Sequence, residues 1–125
     1  MDAMQQARQA YGKGNIPFRT DRNIEYDAFA KVTHALKIAF TNAKTDYAAY
    51  VSAVHDNRSL WSIIAIDVAD PMNKLPAPLR AQLFYLAEFT EKESRRILRD
   101  DAAPNSLVDV NVAIMRGLEG SEVTK

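Results

Sequence analysis

The sequence contains no cysteine, few glycines and histidines, and no excess of charge of either sign. Without cysteine there can be no disulfide and no thiolate metal site, which fits a reducing compartment. Sixteen basic and sixteen acidic residues cancel. This balance argues against broad nucleic-acid binding, which depends on many contacts between cations and phosphates. No apolar run reaches the roughly 18 residues of a membrane-spanning helix, and the N-terminus does not resemble a secretory signal.

Residue patterns that carry out chemistry are also scarce. The two histidines, His34 and His55, lie far apart, and neither has a carboxylate at ligand spacing, so surface or helix-cap roles are favoured over a metal or catalytic role. Asp100 and Asp101 fall at a predicted helix end and do not form an acid–base pair. A glycine-rich phosphate loop is absent. We therefore expect a protein that is not an enzyme, with no cofactor and no metal site.

The composition is that of one ordinary globular domain over residues 1–125, with 47% apolar and 26% charged residues. We expect residues 1–20 to be a weakly attached segment, in which a short polar helix over residues 1–10 precedes a linker containing Gly12, Gly14 and Pro17. Residues 21–118 are predicted to form a helical bundle, and residues 119–125 a tail. Apolar residues recur at helical spacing throughout, and no long strand-like alternation appears.

Capping residues and prolines divide the bundle into four main helices. The first begins near Thr20 or Asp21 and ends near Thr41. The second is capped by Thr45 or Asp46 and ends before Pro71, either as one helix or as two with a break at residues 55–58. The third begins at Pro76 or Pro78. The fourth is capped by Asn105 or Ser106 and ends around Gly117 and Gly120. The prediction is an all-α up-and-down bundle with a short additional N-terminal helix.

The apolar stripe of each helix predicts the core. In the first helix the inward residues are Ile24, Ala28, Val32, Leu36 and Phe40, with Phe29, Ala35 and Ala39 beside them. In the second they are Tyr47, Val51, Val54, Trp61, Ala65 and Val68, flanked by Tyr50, Leu60 and Ile64. In the third they are Leu79, Leu83, Leu86, Ala87, Thr90, Ile97 and Leu98. In the fourth they are Leu107, Val110, Ile114 and Leu118.

Five residues are candidates for a partner-binding surface. Asn57 and Arg58 are a polar pair in an apolar helix, and they must either join two helices or present hydrogen bonds to another protein. Trp61 has the spacing typical of a core residue. Tyr85 and Phe89 share a stripe that is offset from the leucine stripe of their helix, which indicates a half-exposed seam between helices. We predict that a partner helix packs at this seam, with Asn57 and Arg58 nearby.

Several ordered segments resemble the flagellar biosynthesis regulator FlaF family of bacteria. They are Ala10-Tyr11, Glu25-Tyr26-Asp27-Ala28-Phe29, Asn57-Arg58-Ser59-Leu60-Trp61, Asp67-Val68-Ala69-Asp70, Leu75-Pro76, the run from Leu83 to Thr90, and the run from Asn111 to Leu118. Each segment alone is weak, but their combination covers nearly the whole chain in order.

The resemblance implies a cytoplasmic, non-enzymatic protein that binds flagellin, supports its synthesis and export in a chaperone-like way, and is functionally linked to the regulator FlbT. An amphipathic flagellin helix in an apolar groove would suit such a bundle. One alternative is regulation of flagellin message through RNA, using Arg8, Lys13, Arg19 and Arg22 or using Arg95, Arg96 and Arg99. The zero net charge favours flagellin as the partner over RNA. Another alternative is a generic helical interaction module.

Overall fold

Four helices make up the described part of the chain. The computed structural model describes the backbone of residues 22–123 and the side chains of residues 26–118. The helices are α1 (Arg22–Thr41), α2 (Tyr47–Ala69), α3 (Ala77–Asp100) and α4 (Asn105–Val123). Residues 22–123 contain no strand, so the predicted all-α bundle is confirmed. The predicted N-terminal helix over residues 1–10 and the cap at Thr20 or Asp21 lie outside the described residues.

The helix ends follow the capping chemistry of the sequence in most places. The Asp46 carboxylate accepts a hydrogen bond from the Ala49 backbone amide (3.1 Å) and so caps α2. The helix then continues unbroken to Ala69, which excludes the alternative of two shorter helices. α3 begins directly after Pro76 and carries Pro78 in its first turn, where a missing amide hydrogen costs nothing.

Two predicted features of α4 are wrong. The helix does not end at Gly117 and Gly120 but continues to Val123, because glycine in a helix interior costs only about 1 kcal/mol and does not forbid the helix. The Ser106 hydroxyl does not act as a cap. It donates a hydrogen bond to Oε1 of Glu93 on α3 (2.8 Å) instead.

The bundle forms a ring in which α1 packs on α2 and α4, and α3 packs closely on α2 but only loosely on α4. Short connections make consecutive helices antiparallel. The buried apolar residues form two clusters, named here after their largest aromatics. The Trp61 cluster contains Ala28, Phe29, Val32, Leu60, Trp61, Ile64, Val68, Leu83 and Ala87. The Tyr50 cluster contains Leu36, Ala39, Tyr50, Ala53, Val54, Ile97 and Leu107.

Four residues predicted to point inward are exposed instead: Phe40, Tyr47, Val51 and Leu79. Phe40 and Tyr47 lie in the terminal turns of their helices, where neighbouring helices cover them only in part. Their rings pack against the buried Tyr50 ring, with centroids 5.4 and 6.1 Å away. No helix within the described part of the chain is long and apolar enough to cross a membrane.

Candidate functional site

A buried network of three side chains joins α2 to α4. The Trp61 indole N–H donates to Oδ1 of Asn111 (2.9 Å), and Nδ2 of Asn111 donates to Oδ1 of Asn57 (2.7 Å). All three residues are at most 1% exposed. Because an indole nitrogen can only donate, it fixes which way the Asn111 amide points. The network therefore holds α4 to α2 across the interior of the bundle.

Asn57 and Asn111 belong to a polar layer with one residue from each helix, defined here as Thr33, Asn57, Thr90 and Asn111. All four are buried. Along α1, α2 and α3, the layer residue lies between the residues of the Trp61 cluster and those of the Tyr50 cluster. Among the described residues, Nδ2 of Asn57 and the hydroxyls of Thr33 and Thr90 have no hydrogen-bond partner. The layer thus divides the core in two and leaves part of its hydrogen-bonding capacity unused.

The groove between α2 and α3 contains a forked ion pair. Nε and Nη2 of Arg58 donate to the two carboxylate oxygens of Glu91 (3.1 and 2.6 Å), and Arg95 approaches the same carboxylate at 3.6 Å. The hydrogen bonds and charge of Arg58 hold the pKa of Glu91 below that of an ordinary glutamate. The groove has a volume of about 340 Å³, and Trp61 and Ala87 are among the residues that line it. The Arg58 side chain therefore joins α2 to α3 through its ion pair with Glu91.

α3 carries aromatic side chains on its solvent side. Tyr85 is 65% exposed, Phe84 is 40% exposed, and Phe89 is half-buried. Together these residues are called the aromatic face of α3. A soluble helix does not need three aromatic residues on its outer surface, and an exposed aromatic patch is typical of a protein–protein contact.

The two edges of the aromatic face point to different neighbours. Each residue turns the direction of the side chain by about 100° around the helix axis. Phe84 therefore points within about 20° of Glu91, which bonds to α2. Phe89 points within about 40° of Glu93, which bonds to α4. Tyr85 lies between them, on the outermost line of the helix. Phe89 therefore borders α4, on the opposite flank of α3 from Arg58.

α3 and α4 are the most loosely packed of the neighbouring helix pairs in the described part of the chain. From the Glu93–Ser106 hydrogen bond, antiparallel register places Phe89 opposite Val110 and Leu86 opposite Ala113. Leu86, Phe89 and Val110 are half-buried, and Ala113 is exposed. A Cβ atom added to Gly117, further along α4, would meet nothing within 4 Å. The seam is thus lined by apolar and small residues.

The structure does not bring the five predicted site residues into one surface. Asn57 and Trp61 are buried, Arg58 lies on the α2 flank of α3, and Tyr85 and Phe89 lie on its outer and α4 flanks. A spacing argument compares residues within one helix, so it could not place the α2 residues relative to the two sides of α3. Partner binding by these residues stays a prediction.

Two contributors were missed from the sequence. Asn111 completes the buried network, and Phe84 forms one edge of the aromatic face. A signal for Asn111 was present, because it is a polar residue one turn after Leu107 on the predicted inward face of α4. No comparable signal marked Phe84 as exposed.

The arginines near the end of α3 do not form an unpaired cationic row. Arg95 lies 3.6 Å from Glu91, Arg96 lies 2.9 Å from Glu93, and Arg99 lies 3.0 Å from Asp100. Each guanidinium is close to a carboxylate of its own helix, which reduces its value as a phosphate contact.

One comparison with known proteins gives a match. The model of a family described as flagellar protein FlaF matches residues 7–118, which is most of the chain. No curated protein and no solved structure matches the chain significantly.

Proposed function

Because the chain belongs to the flagellar protein FlaF family, we propose that it is a non-enzymatic regulator of flagellum assembly that binds flagellin. It supports the synthesis and export of flagellin in a chaperone-like manner. It acts in the cytoplasm and is functionally linked to the regulator FlbT. Family membership gives the flagellar role, and the flagellin partner is the finer step proposed here.

The aromatic face of α3 is the observation that supports flagellin as the partner. Tyr85 is 65% exposed and lies one turn from the half-buried Phe89, which borders the seam between α3 and α4. An amphipathic helix binds by laying its apolar side chains into such a groove. Exposed aromatics beside a groove are suited to act as anchors, because a few aromatic residues carry most of the affinity in many interfaces.

The other predicted site residues support this surface without touching the partner. Trp61 and Asn57 hold α4 in place through Asn111, and so they set the width of the seam. Arg58 fixes α2 to the far flank of α3 through Glu91. The proposed contact residues are therefore Tyr85 and Phe89.

Binding of purified flagellin to single-residue variants tests the proposal. Tyr85→Ala and Phe89→Ala are each expected to weaken binding by about 1–3 kcal/mol in a protein that remains folded by circular dichroism. Ile38→Ala is the matched control, because Ile38 is 51% exposed but lies on α1, away from the seam. Flagellin binding equal to the parent in both folded variants would exclude this surface.

Salt dependence separates flagellin binding from the RNA alternative. A complex held by apolar helix packing should change little between low and physiological salt, whereas phosphate contacts weaken steeply over that range. We expect flagellin binding to be nearly constant. If flagellin binding fell steeply with salt while the protein bound flagellin leader RNA at low salt, the RNA function would be favoured.

A further inference from the structure

The two halves of α4 are held to the bundle very differently. Its N-terminal half is fixed by the fully buried Leu107 in the Tyr50 cluster and by the Ser106–Glu93 hydrogen bond (2.8 Å). The loop before it is fixed by the Tyr50 hydroxyl, which donates to the Ala102 carbonyl at 2.8 Å. These contacts leave the first turns of α4 little freedom to move.

Beyond Asn111 the attachment is much weaker. None of the side chains of residues 112–118 is buried, and none forms a hydrogen bond with another described side chain. Ile114, Met115 and Leu118 are partly buried against the Trp61 cluster. Gly117 adds no side-chain contact and weakens the helix itself by about 1 kcal/mol relative to alanine. Few buried apolar contacts are the mark of a segment that opens locally.

Asn111 lies at the boundary between the two halves. Among the side chains of α4 that the structure describes, it is the last one that is fully buried, and it makes both side-chain hydrogen bonds found there between α4 and α2. Three other groups of the same polar layer, Nδ2 of Asn57 and the hydroxyls of Thr33 and Thr90, have no partner among the described residues. Buried groups without partners are costly, and opening would let water reach them.

We propose that the part of α4 beyond Asn111 opens as a unit, with Asn111 as the latch, and that this opening controls access to the seam beside Phe89. When this part of α4 moves away, the seam widens, and the half-buried Leu86 and Phe89 gain exposed apolar surface. The consequence for flagellin rests on the function proposed above. The opening itself does not.

Hydrogen–deuterium exchange tests the opening without any partner. In the parent protein, the amides of residues 113–118 should exchange at least about tenfold faster than those of residues 109–111, as expected of a separate opening unit. Asn111→Ala removes both latch hydrogen bonds and should accelerate exchange at residues 113–118 about tenfold further. Ser106→Ala is the matched control, because it removes a hydrogen bond from the anchored half of α4 and should leave residues 113–118 unchanged.

Equal exchange rates on both sides of Asn111 in the parent protein would overturn the proposal, whether or not the Asn111→Ala variant folds. The same conclusion follows if Asn111→Ala folds and accelerates exchange uniformly along α3 and α4. Uniform acceleration would mean that Asn111 stabilises the whole bundle and does not act as a latch.

A disulfide lock tests the link to partner binding, and the absence of cysteine makes the experiment clean. Leu86→Cys with Ala113→Cys joins α3 to the opening half of α4. Glu93→Cys with Ser106→Cys joins α3 to the anchored half as a control. When oxidised, the first lock should bind flagellin about tenfold more weakly than its own reduced form. The second lock should bind flagellin equally well in its oxidised and reduced forms.

The outcomes distinguish the two proposals. Equal flagellin binding by the oxidised and reduced first lock would overturn access control while leaving flagellin binding intact. Failure of the parent to bind flagellin would overturn the proposed function, and the exchange experiment would still decide whether α4 opens at Asn111.

Discussion

Replacing Trp61 with alanine should come close to unfolding the protein. The side chain is 1% exposed, and its ring meets the Phe29 ring edge-on with centroids 5.5 Å apart. Deletion of a buried tryptophan costs about 3–5 kcal/mol. It also removes the indole N–H from which Oδ1 of Asn111 accepts a hydrogen bond, and a buried group left without a partner costs about 1–3 kcal/mol more. Water entering the cavity would offset part of the second cost, so we expect a loss of about 4–6 kcal/mol.

A loss of that size would consume most of the stability of a small domain, which is about 5–15 kcal/mol. Trp61→Phe separates the two contributions, because it keeps a ring against Phe29 but loses the indole N–H. It should cost about 2–4 kcal/mol. Urea unfolding followed by circular dichroism measures both variants, since the variants lack the tryptophan signal. Tyr85→Ala serves as an exposed control and should stay within about 0.5 kcal/mol of the parent. If Trp61→Ala lost less than about 1 kcal/mol, the reasoning from burial would fail.

Two further predictions concern pH. Burial raises the pKa of Tyr50 to about 12, followed by smaller effects of Tyr47 and Asp101. A group whose pKa is raised on folding stabilises the protein at pH values below its pKa in the unfolded state, and this stabilisation is lost as pH rises. The free energy of unfolding of the parent should therefore fall by about 2–3 kcal/mol relative to that of Tyr50→Phe between roughly pH 10 and 12. Parallel alkaline stability curves for the two proteins would contradict this. The hydrogen bonds of Arg58 lower the pKa of Glu91. The ion pair therefore stabilises the folded protein at neutral pH, and this stabilisation is lost as pH falls through the acid range. Because Glu91 is 40% exposed, Glu91→Gln should cost at most about 1 kcal/mol at pH 7. The difference between Glu91→Gln and the parent should shrink toward pH 3, and a constant difference in acid unfolding curves would rule the explanation out.

Most of the fold could be predicted from sequence because local chemistry decides it. Asp46 and the prolines before α3 mark helix starts whatever the rest of the chain does, and the spacing of apolar residues gives the inner face of each helix. The prediction failed where neighbouring helices decide the outcome. Phe40 and Tyr47 have the correct spacing for the core but lie in terminal turns, where neighbouring helices cover them only in part.

The candidate site was harder to predict because it depends on relations between helices. Helical spacing correctly placed Tyr85 and Phe89 away from the core stripe of α3. It could not show that Glu91 reaches α2 while Glu93 reaches α4. That difference puts Arg58 and Phe89 on opposite flanks of α3. Only the three-dimensional arrangement separates the ion-paired groove from the open seam.

The polar layer connects the stability of the bundle to the proposed surface. A buried layer with unpaired groups is a poor way to gain stability, since a half-satisfied polar network is worse than an apolar core. It does, however, fix the position of α4, because Asn111 can satisfy Trp61 and Asn57 in only one register. An apolar residue at position 111 could pack in several registers. The hydrogen-bonded asparagine therefore defines the closed position of α4, and the weak attachment of residues 112–118 lets that half of the helix open. This is the combination that the proposed helix-binding groove beside Phe89 requires.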